Sequence, residues 1–232
     1  MFGKKVGLIE NKDIGGTCVN VGCVPKKIMF NAANFLDDSH LFADYGITGL
    51  ENVKLDFLTF KKNRDAYIKR LNSIYHKNVD NSGIDYIQGY AKFTGPKEIE
   101  VTAKEGSTAK YSADHVMIAS GSKSILPTKF EGIEHCISSD DIFEMEQLPK
   151  SIVIIGGGYI GTEMAGIMTS FGVKTTLLVR DLLLARVDQE IIDLLLENMK
   201  KHKTDVRLMC QASKVTKDGN ILTVHLTNGE TI

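Results

Sequence analysis

From Ser151 onward the apolar positions change period twice. "SIVII" is an unbroken apolar run of strand length, and it leads into Gly156-Gly157-Gly158-Tyr159-Ile160-Gly161. Beyond the glycines, Ile160, Met164, Ile167, Met168 and Phe171 recur at helical spacing, which predicts an amphipathic helix ending at Gly172. A second β-rich run, Thr175 to Val179, predicts another strand. Strand, glycine turn, helix and strand in that order make a β-α-β unit.

The chain before Ser151 alternates differently. "KVGLIE", Lys5 to Glu10, predicts a short strand ending in an acid, and "KIMFNAANFL" predicts a helix. A long helix is expected from Phe57, with Phe60, Tyr67, Leu71, Ile74 and Tyr75 at helical spacing and a stop at Asn81-Ser82-Gly83. "IDYIQGYAKF", "KEIEVTA" and "HVMIASGS" read as strands parted by glycine and lysine turns. "ISSDDIFEMEQLPK" reads as a short helix and a linker ending at Pro149. The pattern therefore divides the chain into residues 1–149 and 150–232, with no tandem repeat and no low-complexity segment.

Composition mainly excludes. With 43% hydrophobic residues and a net charge of −1, the chain has no electrostatic pull toward nucleic acid or an anionic membrane. No apolar run approaches the roughly 18–20 residues of a membrane span. "MFGKKVGLIE" lacks the apolar core of a secretory signal. Four cysteines in 232 residues are too few for a disulfide scaffold and point to a reducing compartment. A cytoplasmic location is expected, with a mitochondrial one as the alternative.

The glycine turn carries chemistry. In a G-x-G-x-x-G between strand and helix, Gly156 makes the tight turn, Gly158 admits a pyrophosphate to the backbone, and Gly161 lets helix pack on strand. The pyrophosphate would rest on the exposed N–H groups of the helix N-terminus. The second strand ends in Val179, where an acid would bind the ribose of NAD, and Arg180 and Arg186 follow. Two cations in place of an acid favour the 2′-phosphate of NADP. "KVGLIE" has the opposite ending: Glu10 is placed to hold a ribose hydroxyl, so two different nucleotides are expected. A first strand, glycine loop and helix of that unit would need roughly 30 residues before Phe2.

"GGTCVNVGCVPKK" sets Cys18 and Cys23 five residues apart. On a regular helix five residues advance the chain by about 7.5 Å, beyond the roughly 4.4–6.8 Å over which a disulfide closes. Gly22 and Pro25 offer relief from that geometry, and a short-looped, strained bridge would favour exchange over permanent stapling. A zinc site would need a second ligand pair at the right spacing. Two unrelated buried cysteines complete the alternatives. Cys136 and Cys210 lack a partner motif and read as structural.

The cysteine segment resembles the redox-active segment of the glutathione reductase branch of the pyridine nucleotide-disulfide oxidoreductases. The likeness runs in order through "KVGLIE", "RDAYIKRLNSIYHKN", "HVMIASGS" and the second glycine loop. It implies an α/β protein of two Rossmann-like nucleotide-binding domains, both truncated: an FAD-binding domain at 1–149 and an NADP-binding domain at 150–232. It implies NADPH and FAD as cofactors, glutathione disulfide as substrate, and a homodimer formed through a C-terminal domain beyond this chain. No metal is implied.

Residue by residue, the resemblance makes Cys23 the thiolate against the flavin and Cys18 the thiol that attacks the substrate. Lys26 would sit near the flavin and pair with Glu163, and Tyr159 would lie over the nicotinamide side and swing aside for NADPH. Glu10, Thr17 and the backbone near Ala91 would hold FAD; Gly157, Ile160, Glu163, Arg180 and Arg186 would hold NADPH. Tyr75 would touch the glutathione disulfide, and Ile74 and Asn78 match the glutathione pattern better than the trypanothione one. "RDLLLARVD" is one residue shorter before Asp188 than in many glutathione reductases. A thioredoxin- or trypanothione-type reductase, or a non-catalytic nucleotide-binding fragment, are the competing readings.

Overall fold

The computed structural model describes residues 3–50, 52–126 and 130–232. The chain forms two compact units, one of residues 1–25 and 63–123, the other of residues 26–62 and 124–232.

In the first unit, β1 (Gly7–Glu10) leads to α1 (Gly16–Val21) and the start of α2 (Cys23–Asp38). The chain returns along α3 (Phe57–Asn81), which closes near Gly83 at φ +64°. β2 (Asp85–Gln88) then pairs in parallel with β1, Gly7 opposite Asp85 and Glu10 opposite Gln88. β3 (Tyr90–Gly95), β4 (Glu98–Thr102) and β5 (Thr108–Ser112) form an antiparallel meander in the order 3-4-5. "HVMIASGS" departs from expectation: residues 115–122 carry no strand, and Met117 and Ile118 are 89% and 74% exposed. Its composition suits a strand, but among the described residues no neighbouring strand supplies the hydrogen bonds a strand needs.

The second unit is built on a parallel sheet of β6 (Ser151–Ile155), β7 (Lys174–Leu178) and β8 (Asp205–Arg207) in the order 6-7-8. α4 (Tyr159–Ser170) links β6 to β7, and α5 (Gln189–Lys201) links β7 to β8. Side chains alternate across a strand, so Leu177 and Leu178 feed two different cores. Leu177 packs with Ala165, Val179, Leu183, Ile192 and Met199. Leu178 packs with Ala212, Val215, Val224 and Leu226 of the hairpin β9 (Ala212–Asp218) and β10 (Ile221–Leu226). Cys136 and Cys210 lie against that second core, and burial pushes the Cys136 thiol up.

Met164, Ile167 and Met168 of α4, and Phe171 at its C-terminal cap, are buried as their spacing predicts, but Ile160 is 42% exposed. It stands in the first turn, at the mouth of the glycine loop, where no core faces it. The expected helix "KIMFNAANFL" is longer than predicted and begins at Cys23. "ISSDDIFEMEQLPK" contains a single 3₁₀ turn, Asp141–Glu144.

Candidate functional site

The cysteine pair is shaped by one glycine. α1 stops at Val21, α2 starts at Cys23, and Gly22 between them has φ −150° and ψ −118°. A Cβ on Gly22 would lie 2.8 Å from the carbonyl oxygen of Thr17 and 3.2 Å from the Cα of Cys18. Those are backbone atoms that cannot rotate aside, so the close approach of α2 to α1 requires glycine. The regular helix that would hold the sulfurs apart is thus broken between them. Cys18 and Cys23 are both exposed free thiols. A hydrogen bond with the Cys23 side chain, then burial and the Cys23 charge, hold the Cys18 thiol above its ordinary range.

Thr17 is exposed on α1, and its carbonyl is the one Gly22 packs against. The turn into α1 is gripped by amides: Asn20 Nδ2 donates to the carbonyl of Gly16 at 2.9 Å, and Asn72 Nδ2 on α3 donates to that of Ile14 at 2.8 Å. Neither asparagine was singled out by the sequence reading. Asn72 sits inside "RLNSIYHKN", but a lone amide on a polar helix gives no sign of its partner 58 residues away. Tyr75 and Ile74 of the same helix are 41% and 38% exposed.

Glu10 stands at the C-terminal end of β1, where open parallel sheets bind ligands. Its Oε1 accepts from the Lys12 backbone N–H at 2.9 Å. A carboxylate held there has the chemistry to accept ribose hydroxyls. Ala91 is exposed on β3, opposite Val101.

In the second unit, Gly156 takes φ +127°, a conformation that favours glycine, and its N–H donates to the Leu178 carbonyl at 2.9 Å. Gly157 lies against the core: an added Cβ would meet Val179 Cγ1 at 2.6 Å. Gly161 packs against the carbonyl oxygen of Gly156 and leaves no room for a Cβ. Gly158 differs, since a Cβ there would meet nothing within 4 Å. It caps α4 without a side-chain hydrogen bond, so the N–H groups of the first turn face that open cradle. The arrangement fits a dinucleotide pyrophosphate.

Tyr159, 69% exposed, opens α4, and Glu163 follows one turn later. Lys26 Nζ on α2 donates to Glu163 Oε1 at 2.7 Å, with both side chains partly shielded. Tyr159 and Glu163 line a cleft of about 620 Å³ with Phe30, Ala33, Leu195 and Met199. Arg180 is exposed and its Nε donates to Asp181 at 2.8 Å; Arg186 is exposed as well. An exposed pair of this kind costs only about 0–1 kcal/mol to open, which leaves Arg180 available to an anion.

Among the described residues, no three His, Cys, Asp or Glu side chains gather as a metal site, and no helix is long and apolar enough to cross a membrane.

The family profile for pyridine nucleotide-disulphide oxidoreductase matches residues 1–232. The chain belongs to that family. It is 37% identical over 257 aligned residues to glutathione reductase of Debaryomyces hansenii, covering 100% of this chain and 52% of that protein. It is 43% identical over 180 residues to glutathione reductase of Schizosaccharomyces pombe, covering 77% of this chain and 39% of that protein. The chain thus spans about half the length, or less, of these curated relatives. Among solved structures, a copper(II) complex of a variant of RclA, an HOCl-induced flavoprotein disulfide reductase of Escherichia coli, matches with a TM-score of 0.85. That match is 25% identical and covers 99% of this chain and 49% of the other. The fold is accordingly the α/β, Rossmann-like FAD/NAD(P)-binding fold, and the family is one of oxidoreductases whose glutathione reductase members imply FAD and NADPH as cofactors.

Proposed function

We propose that this chain carries the disulfide-exchange and nucleotide-binding parts of a glutathione-disulfide reductase, with residues 1–149 serving FAD and 150–232 serving NADPH. The observation that carries the reading is the break at Gly22, which ends the regular helix between the exposed Cys18 and Cys23 thiols and brings the start of α2 close against α1. When bound, NADPH would supply two electrons through FAD, which together with two protons would convert the Cys18–Cys23 disulfide to a dithiol. Cys18, as thiolate, attacks one sulfur of glutathione disulfide, forming a mixed disulfide and releasing the first glutathione thiolate. Cys23, as thiolate, then attacks the Cys18 sulfur, closes the protein disulfide and releases the second glutathione. The two protons lost by the cysteines go to the two departing thiolates.

The other residues bind and orient. Glu10, Thr17 and the backbone at Ala91 hold FAD. The α4 N-terminus and the cradle at Gly158 hold the NADPH pyrophosphate, with Gly156, Gly157, Ile160 and Gly161 shaping the loop. Arg180 and Arg186 take the 2′-phosphate. Lys26, held by Glu163, places a positive charge where negative charge arrives, and Tyr159 covers the nicotinamide position. Tyr75 orients the glutathione disulfide. The location is cytoplasmic or mitochondrial, and a homodimer is the assembly expected of the full-length family.

The test is differential alkylation. The chain with FAD added is reduced by NADPH, labelled, and mapped by mass spectrometry. Cys18 and Cys23 are expected to gain label ahead of Cys136 and Cys210, and to lose it again when glutathione disulfide is added. Labelling that ignores NADPH in a flavin-loaded sample would refute the electron path. Reoxidation by thioredoxin disulfide but not by glutathione disulfide would refute the substrate.

A further inference from the structure

Two side-chain amides in the first unit grip the turn that carries the cysteines. Asn72 Nδ2 on α3 donates to the Ile14 carbonyl at 2.8 Å and to Asn20 Oδ1 at 2.9 Å. A carbonyl only accepts, so Nδ2 rather than Oδ1 must face Ile14. Asn20 on α1 donates in turn to the Gly16 carbonyl at 2.9 Å and reaches those of Asp13 and Ile14 at 3.3 Å each. The backbone so gripped is the entry to α1, where Gly15 and Gly16 take φ of +102° and +61°. α1 has six residues and no side-chain N-cap. Isolated helices shorter than about 12–15 residues are marginal in water. Its conformation is therefore set from outside, and Asn72 does this from 52 and 58 residues away. Cys18 lies within α1, and Cys23 follows its end.

We propose that Asn72 is a positioning residue for the Cys18/Cys23 couple: through Asn20 and Ile14 it fixes α1 and keeps the Cys18 sulfur where a disulfide to Cys23 closes. The proposal rests on the reading of these cysteines as the exchanging pair. A disulfide forms only over Cα separations of roughly 4.4–6.8 Å. Freedom given to α1 lowers the effective concentration of one thiol at the other. Loss of the amide grip therefore weakens the disulfide relative to the dithiol.

The test equilibrates the full 232-residue chain in glutathione buffers of graded ratio. The protein dithiol gives two electrons and two protons to glutathione disulfide, yielding the protein disulfide and two glutathione thiols. Acid quenching, alkylation and peptide mass spectrometry then read the oxidised fraction. Asn72→Ala is expected to lower the equilibrium constant for disulfide formation about tenfold, equivalent to about 30 mV in potential. Asn20→Asp keeps an acceptor for Asn72 but removes the donations to the three carbonyls, and is expected to act in the same direction. A merely structural role would lower the thermal midpoint and leave the constant unmoved. That result in folded Asn72→Ala protein overturns the proposal. Should Asn72→Ala fail to fold, Asn20→Asp decides, and an unchanged constant there overturns it equally. If the unsubstituted chain forms no Cys18–Cys23 disulfide at any ratio, the reading of the cysteines itself falls, and the proposal falls with it.

Discussion

Gly157 and Gly158 are neighbours in one loop, yet alanine should affect them in different ways. At Gly157 a new Cβ would sit 2.6 Å from Val179 Cγ1, 3.1 Å from Cγ2 and 3.3 Å from Cβ. Ordinary carbon contacts lie at about 3.5–4.0 Å, so loop and valine must part by roughly 0.9 Å. Val179 is 1% exposed, and a β-branched side chain has little rotamer freedom, so it cannot turn aside. Overpacking of this kind costs about 1–3 kcal/mol. Alanine's smaller unfolded-state entropy offsets about 0.4–1 kcal/mol of that. The net loss, up to about 2.6 kcal/mol, lowers the thermal midpoint by up to about 10 °C in a chain of this size. Gly158→Ala meets nothing within 4 Å, and its φ of −81° suits alanine. Its midpoint should hold or rise slightly. Its methyl, however, fills the cradle proposed for the pyrophosphate. Losing one charge-assisted hydrogen bond there, about 1.5–3 kcal/mol, weakens NADPH about ten- to hundredfold. Thermal melts and NADPH titration by fluorescence, run on both variants, read the two effects separately. A Gly158→Ala protein that binds NADPH within twofold of the parent, or melts as low as Gly157→Ala, would refute the reasoning.

Alanine at both Arg180 and Arg186 should weaken NADPH at least tenfold while leaving NADH nearly unchanged, because only NADPH carries the 2′-phosphate; competitive titration of the two nucleotides checks it. The raised pKa of Cys18 in the dithiol state means less thiolate at neutral pH than an ordinary cysteine has. Its alkylation rate should therefore keep climbing with pH after that of a free cysteine has levelled, and Cys23→Ser should move the profile down. The same shift stabilises the folded chain below the unfolded thiol pKa, and this contribution disappears as pH rises through the folded value. Leu177→Ala removes a side chain with 0% exposure from the core beneath α4 and α5. It should cost about 2–5 kcal/mol in denaturant unfolding.

Sequence reasoning reads best where the physics is local. The glycine loop is local: Gly156 takes a positive φ and Gly161 packs against the Gly156 carbonyl, the turn and packing roles that the G-x-G-x-x-G spacing predicts at the start of a helix. Gly22 is local too, because the atoms that exclude its Cβ belong to Thr17 and Cys18. Pattern failed where the outcome depended on a distant partner. "HVMIASGS" has strand composition, but a strand exists only beside another, and these residues pair with none among those described. Ile160 keeps helical register with Met164 and Ile167, yet register tells only which side a residue faces. At the first turn that side opens on the loop.

Lys26 and Glu163 mark the limit of composition and spacing most clearly. They are 137 residues apart, and each alone is an ordinary charged residue on a helix; only the resemblance paired them. In the structure their contact is 2.7 Å with side chains 23% and 38% exposed. A half-shielded ion pair is weak support for stability, because desolvation consumes much of the Coulomb gain. Replacing both with apolar residues of similar size should therefore leave the melting temperature nearly unchanged. In the function proposed above the pair would provide direction: α2 begins at Cys23, and Lys26 lies one turn along it, held by Glu163 of the helix that follows the glycine loop. A cation fixed in this way is worth more to an arriving negative charge than a mobile one, since no reorganisation is needed when the charge appears.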